Sequence, residues 1–209
     1  MREEVDINHW ARRSQFQFFK KFEEPFWGVT VRIDCTLAYA WAKANEVSFY
    51  LYYLYQSMRA VNAIENFRYR LEGEKVYLYD SVGASATVLR ENGTFGFSYV
   101  DYHELFSDFE VSANKEFLRV RAREDLVPGS ATANVVHYSS LPWLDFTGLS
   151  HARLFSRPDS APKISFGKMS DQNGIKTMPV SIHVHHALVD GFHVGQHVDL
   201  FQELMNKGL

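Results

Sequence analysis

The sequence predicts an α/β (α+β) fold, a two-layer sandwich in which a large mixed or antiparallel sheet carries helices on one face. Three observations lead there. Short runs with period-two alternation recur along the chain, at 28–34, 75–79, 86–90, 95–100, 135–140, 163–169 and 175–186. Segments with helical spacing lie among them, at 36–45, 49–64, 103–123 and 192–205. No Pro/Gly/Ser-rich linker, low-complexity tract or internal repeat divides the 209 residues, so one domain over 1–209 is expected.

Each element has a local reason. Gly28 to Asp34 alternates as a half-buried strand does, and Thr36 to Asn45 follows as a short helix. Ser48 then supplies a hydroxyl to cap a longer helix that runs to about Ile64. Phe67 to Leu71 and Lys75 to Tyr79 read as strands joined across Glu72-Gly73-Glu74. Ala86 to Arg90 and Phe95 to Val100 are joined across Asn92-Gly93. This order suggests a meander. His103 to Arg123 carries helical spacing and ends before Pro128-Gly129. Val135 to Ser140 and Lys163 to Met169 are further strands. The last strand, Ile175 to His186, carries Met178, Val180, Ile182 and Val184 in alternation and leads into the amphipathic helix Phe192 to Met205.

Composition excludes several classes. A net charge of −3 gives no electrostatic reason for a nucleic-acid partner, and the basic pairs Arg12-Arg13 and Lys20-Lys21 are too short to track phosphates. No apolar run approaches the length of a membrane span, and Met-Arg-Glu-Glu-Val-Asp at the start lacks a signal peptide's apolar segment. The lone Cys35 excludes an internal disulfide framework and fits a reducing cytoplasm. Aromatic residues make up 15% of the chain and concentrate in 16–27 and 49–55, where they can fill a core, line an apolar ligand pocket or face another subunit.

The most informative stretch is His185-His-Ala-Leu-Val-Asp-Gly191, an imidazole and a carboxylate four residues apart where a strand gives way to a helix. If the strand extends to its end, His183 and His185 share one face and Ile182, Val184 and His186 the other. Of the two adjacent histidines only His186 stands four positions before Asp190. Asp190 can orient the imidazole directly, or it can pair with a distant cation and hold the turn rigid. Gly191 is expected to give the backbone freedom for the reversal. A competing reading is a non-enzymatic metal-binding protein, since His183, His185, His186, His193 and His197, five of the nine histidines, fall within fifteen residues. No His-Glu-x-x-His pattern accompanies them.

Several ordered motifs now make the chain resemble the chloramphenicol acetyltransferase family over nearly its whole length. They are Trp10-Ala-Arg-Arg, Arg32-Ile-Asp34, Phe49-Tyr50, Asp80-Ser-Val, Thr94-Phe95, Ser139-Ser-Leu-Pro-Trp143, Ala161-Pro162 through Gly167-Lys168, and His185 through Val194. The resemblance implies a CoA-dependent O-acetyltransferase that uses acetyl-CoA as co-substrate, no metal and no acetyl-enzyme. Its acceptor would be chloramphenicol or a similar small hydrophobic alcohol. The implied general base is His186. Asp190 would form a buried pair with Arg12, Ser139 would stabilise the oxyanion, and Ser165 would assist in place of the family's threonine. Lys168 would lie near the CoA 3′-phosphate, and Phe19, Trp27 and Phe95 would line the acceptor pocket. The resemblance also implies a homotrimer whose sites lie at subunit boundaries, with His186 of one subunit facing the acceptor pocket of the next.

Three departures bear on substrate. Phe19 stands where drug-inactivating members commonly have a tyrosine, Trp27 where a smaller phenylalanine is usual, and Ser48 replaces the lysine of a Lys-Phe-Tyr-Pro run. The similar His…Asp-Gly motif of the acyltransferase core of 2-oxoacid dehydrogenase complexes is a second resemblance, but the lipoyl and linker segments of those proteins have no counterpart here.

Overall fold

The computed structural model describes residues 1–126, 133–155 and 159–208. In chain order its elements are β1 (Arg2–Glu4), α1 (Arg13–Phe19), β2 (Phe26–Asp34), α2 (Thr36–Ala44), α3 (Phe49–Ala63), α4 (Glu65–Arg68), β3 (Tyr69–Glu72) and β4 (Lys75–Tyr79). There follow β5 (Gly83–Leu89), β6 (Phe95–Phe97), α5 (Phe106–Arg121), β7 (Val135–Ser140), β8 (Lys163–Phe166), β9 (Ser170–Gln172), β10 (Ile175–His185) and α6 (Gly191–Lys207). The predicted stop at Pro128-Gly129 lies outside the described residues.

The large sheet has the order β2-β10-β8-β7-β5-β6, with β9 beside β10. It is mixed. β2, β8 and β9 run antiparallel to β10, β7 runs parallel to both β8 and β5, and β6 closes an antiparallel hairpin with β5. Alternation divides its residues into two faces. Val180, Ile182, Ile164, Phe166 and Tyr138 lie on one of them, in register, and all are buried. Helices cover this face: the Phe166 ring meets Tyr53 of α3 at 4.7 Å and Phe201 of α6 at 6.2 Å. The other face is polar. Ser139, Ser165, Ser181 and Thr30 stand in one row across four strands, and His137, Lys163, His183 and Gly28 in the next. Gly28 belongs there for steric reasons, since a Cβ would come within 2.7 Å of the His183 ring.

The expected meander does not form. β3 and β4 pair with β1 in a separate three-stranded sheet, whereas β5 crosses into the large sheet beside β7. A side chain from α3 holds the break. Asn62 of α3 accepts from the Val82 N–H at 2.8 Å and donates to the Val82 carbonyl at 3.0 Å, so both backbone groups are engaged by a side chain between β4 and β5. Phe67, read as the start of a strand, sits in the helical turn α4, where its buried ring stacks on His197 at 4.8 Å. Next to it lies the fully buried Arg70. Its guanidinium donates to the carbonyls of Phe67, Tyr69, Ala133 and Val135 at 2.6–2.8 Å, tying β3 to the start of β7. Burial lowers its pKa to about 10.

Elsewhere the expected elements form with small shifts of boundary. Ser48 caps α3, its hydroxyl accepting from the Leu51 N–H. β6 and β8 end sooner than predicted. The elements α1, β1 and β9, each seven residues or shorter, were not anticipated. Among the described residues no helix is long and apolar enough to cross a membrane.

Candidate active site

The turn after β10 is built from backbone hydrogen bonds. The His186 N–H donates to the Pro25 carbonyl at 2.9 Å, which prolongs the β2–β10 pairing by one residue. The N–H groups of Leu188 and Val189 both donate to the His185 carbonyl, at 2.9 and 3.0 Å. Asp190 then serves as the N-cap of α6 in an extended conformation, φ −121° and ψ −177°, and accepts from the Phe192 N–H at 3.2 Å. His193 completes a capping box with it. The expected role of Gly191 is not found. It does not have a positive φ and begins the helix itself, because the extended N-cap already makes the reversal.

His186 is clasped by aromatic rings. Phe19 of α1 stacks on the imidazole at 3.8 Å, with planes 6° apart, and Trp27 of β2 lies 5.4 Å away at 39°. His186 Nδ1 is buried without a hydrogen-bond partner. Phe19 and Trp27, expected as pocket walls, are therefore also direct neighbours of the imidazole. His185 differs. It is buried, its ring packs edge-on to Phe26, and its Nδ1 accepts from the Ala187 N–H at 3.3 Å. Burial, with Arg153 nearby, lowers its pKa to about 4.

Of the two arrangements open to Asp190, the structure contains the pairing with a distant cation. Arg12 Nη1 donates to Asp190 Oδ2 at 2.6 Å, linking the residue before α1 to the cap of α6. Burial alone would raise the Asp190 pKa, but the Arg12 hydrogen bond and charge outweigh it and the net shift is downward. The pair is less buried than expected: the Arg12 side chain is 13% exposed and that of Asp190 32%.

Ser139, Ser165 and Phe95 belong to a different group. They line a cavity of about 680 Å³ whose walls include Tyr50, Phe117 and Trp143. Ser165 is fully buried and its hydroxyl has no hydrogen-bond partner, whereas Ser139 beside it in the register is half-buried. Ser140 points to the opposite face of the sheet, where it shares a hydrogen bond with the Tyr53 hydroxyl at 2.8 Å, and both also line the cavity. Arg121 and His151 also reach this cavity, and nothing in the sequence marked them. His186, Asp190, Arg12, Phe19 and Trp27 do not line it. Lys168 does not line it either; it is exposed, with its N–H on the Leu144 carbonyl next to Trp143. Within one chain the expected residues other than Lys168 thus form two groups, one around the imidazole and one around the serine row.

The histidines do not converge on a common point. His183 packs edge-on to His151 at 4.9 Å, and His193 belongs to the Asp190 cap. His197 is fully buried, stacked with Phe67 and Phe201. Among the described residues no group of three or more His, Cys, Asp or Glu is placed to hold a metal ion.

Comparison with known proteins bears on the family and the fold. The family model described as chloramphenicol acetyltransferase matches residues 2–202. The chain belongs to the chloramphenicol acetyltransferase family. It is 27% identical over 205 residues to the chloramphenicol acetyltransferase of Proteus mirabilis, covering 98% of this chain and 94% of the relative. It is 28% identical over 206 residues to chloramphenicol acetyltransferase 3 of Escherichia coli, covering 98% and 97%. A solved chloramphenicol acetyltransferase superposes with a TM-score of 0.90 at 28% identity, over 98% of this chain and all of the other. The catalytic core of a 2-oxoacid dehydrogenase complex from Thermoplasma acidophilum shares the fold with a TM-score of 0.63 at 16% identity, over 98% and 99%. The second resemblance is one of fold.

Proposed function

We propose that this member of the family transfers acetyl from acetyl-CoA to a hydroxyl of chloramphenicol or a similar small hydrophobic alcohol. The observation that carries the reading is the His186 turn: an imidazole held between two aromatic rings on a cap locked by the Arg12–Asp190 pair. His186 takes the acceptor hydroxyl proton as the oxygen attacks the thioester carbonyl. Ser139 donates its hydroxyl hydrogen bond to the tetrahedral oxyanion, and Ser165 lies next to it in the serine row. Collapse of the adduct breaks the carbon–sulfur bond. The imidazolium returns its proton to the departing CoA thiolate, so no acetyl-enzyme forms. Phe95 walls the acceptor side of the cavity, and the exposed Lys168 is available to the CoA 3′-phosphate.

In one chain His186 lies outside the cavity that holds Ser139 and Phe95. This supports a site shared between subunits, with His186 of one protomer facing the cavity of the next in a closed homotrimer. The buried Cys35, whose thiol pKa burial raises to about 12, suits a reducing cytoplasm. The test is thiol release from acetyl-CoA with chloramphenicol and a panel of hydrophobic alcohols. Acceptor-dependent release is expected; release no faster than thioester hydrolysis with every alcohol refutes the reading.

A further inference from the structure

Trp27 sits opposite Val184 in the β2–β10 register and reaches across the turn that carries His186. It lies against this turn, which it meets through one hydrogen bond. Its indole Nε1–H donates to the Val189 carbonyl at 3.2 Å, its ring lies 5.4 Å from the His186 imidazole, and its far edge lies 3.9 Å from where a Cβ on Gly191 would stand. Three other carbonyls of the turn are also held. That of His185 takes two backbone N–H groups, that of Leu188 takes the Asn66 side chain at 2.9 Å, and that of Asp190 takes the Val194 N–H at 3.1 Å. Val189, itself buried, is tied to β2 through the indole.

We propose that Trp27 is a positioning residue for His186: its indole N–H fixes the Val189 carbonyl and so sets how the imidazole lies within the plane that Phe19 stacks against. The reasoning is mechanical. Phe19 restrains the imidazole by stacking on its face, but stacking leaves the ring free to slide and turn in its own plane. The in-plane setting follows from the backbone of 186–190, which is tied down at its far end by Arg12 on Asp190 and, one residue before it, by Trp27 on Val189. A phenylalanine at 27 would keep apolar contact with the turn and lose the donor. This inference rests on the reading of His186 as the base.

The experiment uses two variants of the full chain. Trp27→Phe removes the N–H and part of the ring; site-specific replacement of Trp27 by 3-benzothienylalanine puts sulfur in place of the N–H and keeps the shape. Steady-state kinetics are measured for both substrates. The His186 ring is followed through pH by NMR of histidine-labelled protein, its signal assigned by its loss in His186→Ala. Loss of one hydrogen bond predicts a fall in kcat of about two- to tenfold in both variants. KM for both substrates should stay within twofold, and the His186 titration or tautomer signal should change. A raised acceptor KM with unchanged kcat would make Trp27 an acceptor wall and overturn the proposal, as would unchanged kcat in the isosteric variant. If Trp27→Phe fails to fold, the isosteric variant decides. If the wild type transfers acetyl to no acceptor, the functional reading fails separately, and an unaltered His186 signal in the variants still refutes positioning.

Discussion

At the scale of the residue, two neighbouring imidazoles have opposite fates. His185 is enclosed, hydrogen-bonded to its own turn and held neutral by burial; His186 stacks on Phe19 at the edge of the fold. General-base catalysis contributes about 10²–10⁴-fold, so His186→Ala should lose that much turnover while its melting profile stays close to wild type. His185→Ala should do the reverse, losing stability more than turnover. Kinetics and circular dichroism of both variants check this, and equal, mild kinetic effects would misplace the base. Phe19 offers a second test. A tyrosine there keeps the stacked ring and adds a hydroxyl beside the base. Phe19→Tyr is expected to improve kcat/KM for chloramphenicol mainly through a lower KM, by the few-fold that one net hydrogen bond provides, about 0.5–1.5 kcal/mol. An unchanged KM alongside an efficient wild type would show that the missing hydroxyl is irrelevant.

At the scale of the element, the site depends on how α1 and α6 are joined. Arg12 precedes one helix and Asp190 caps the other, and their ion pair spans 178 positions of sequence. A fully buried pair loses about 3–5 kcal/mol when one partner goes. Here Asp190 is a third exposed, so Asp190→Asn should cost less, about 1–3 kcal/mol. Asparagine still caps the helix, which separates the loss of charge from the loss of the cap. A double-mutant cycle with Arg12→Ala, read in denaturant midpoints and kcat, should show coupling; independent, additive effects would mean that the pair does not hold the turn. The sign with pH follows from the depressed Asp190 pKa. Its contribution is complete above the ordinary carboxylate value of 3.8 and is lost as pH falls below it.

At the scale of the whole molecule, the separation of His186 from the serine row makes assembly testable. Light scattering should return three times the 24.2 kDa chain mass. Trimers reassembled from a mixture of His186→Ala and Ser139→Ala chains should recover a fraction of wild-type activity, because some boundaries then contain both intact residues. No recovery in a verified mixed trimer would place the whole site within one chain. Four histidines, two of them buried and two half-buried, set a second global property. His137, His151, His185 and His197 are all held by burial at a pKa of about 4, against an ordinary 6.5. Below pH 6.5 the unfolded chain takes up protons that the folded chain refuses, so stability should fall from about pH 6.5 toward 4. Thermal melts across this range check the slope. His197, enclosed by Phe67 and Phe201, contributes up to one proton of it, and His197→Leu should flatten the curve accordingly. Equal melting temperatures at pH 7.5 and 5 would contradict the argument.

The division between what was legible and what was not follows the reach of each interaction. The Ser48 cap, the hairpins at Gly73 and Asn92-Gly93, the long last strand and the Asp190 turn were all readable, because caps, turn residues and hydrophobic period act within a few positions. The ordered motifs likewise carried the family, and with it the fold, although the sequence alone overestimated Gly191 and read a meander through Val82. Tertiary structure decided the rest. Asn62 interrupts the meander from a distant helix, Arg70 joins β3 to β7 through carbonyls with no side-chain signature, and serines 139, 165 and 181 form a row only once three strands adopt one register. Phe19 meets His186, and His186 stays apart from Ser139, for the same reason. Sheet order and register arise from pairings between residues far apart in the chain, and local periodicity carries no record of which strand lies beside which.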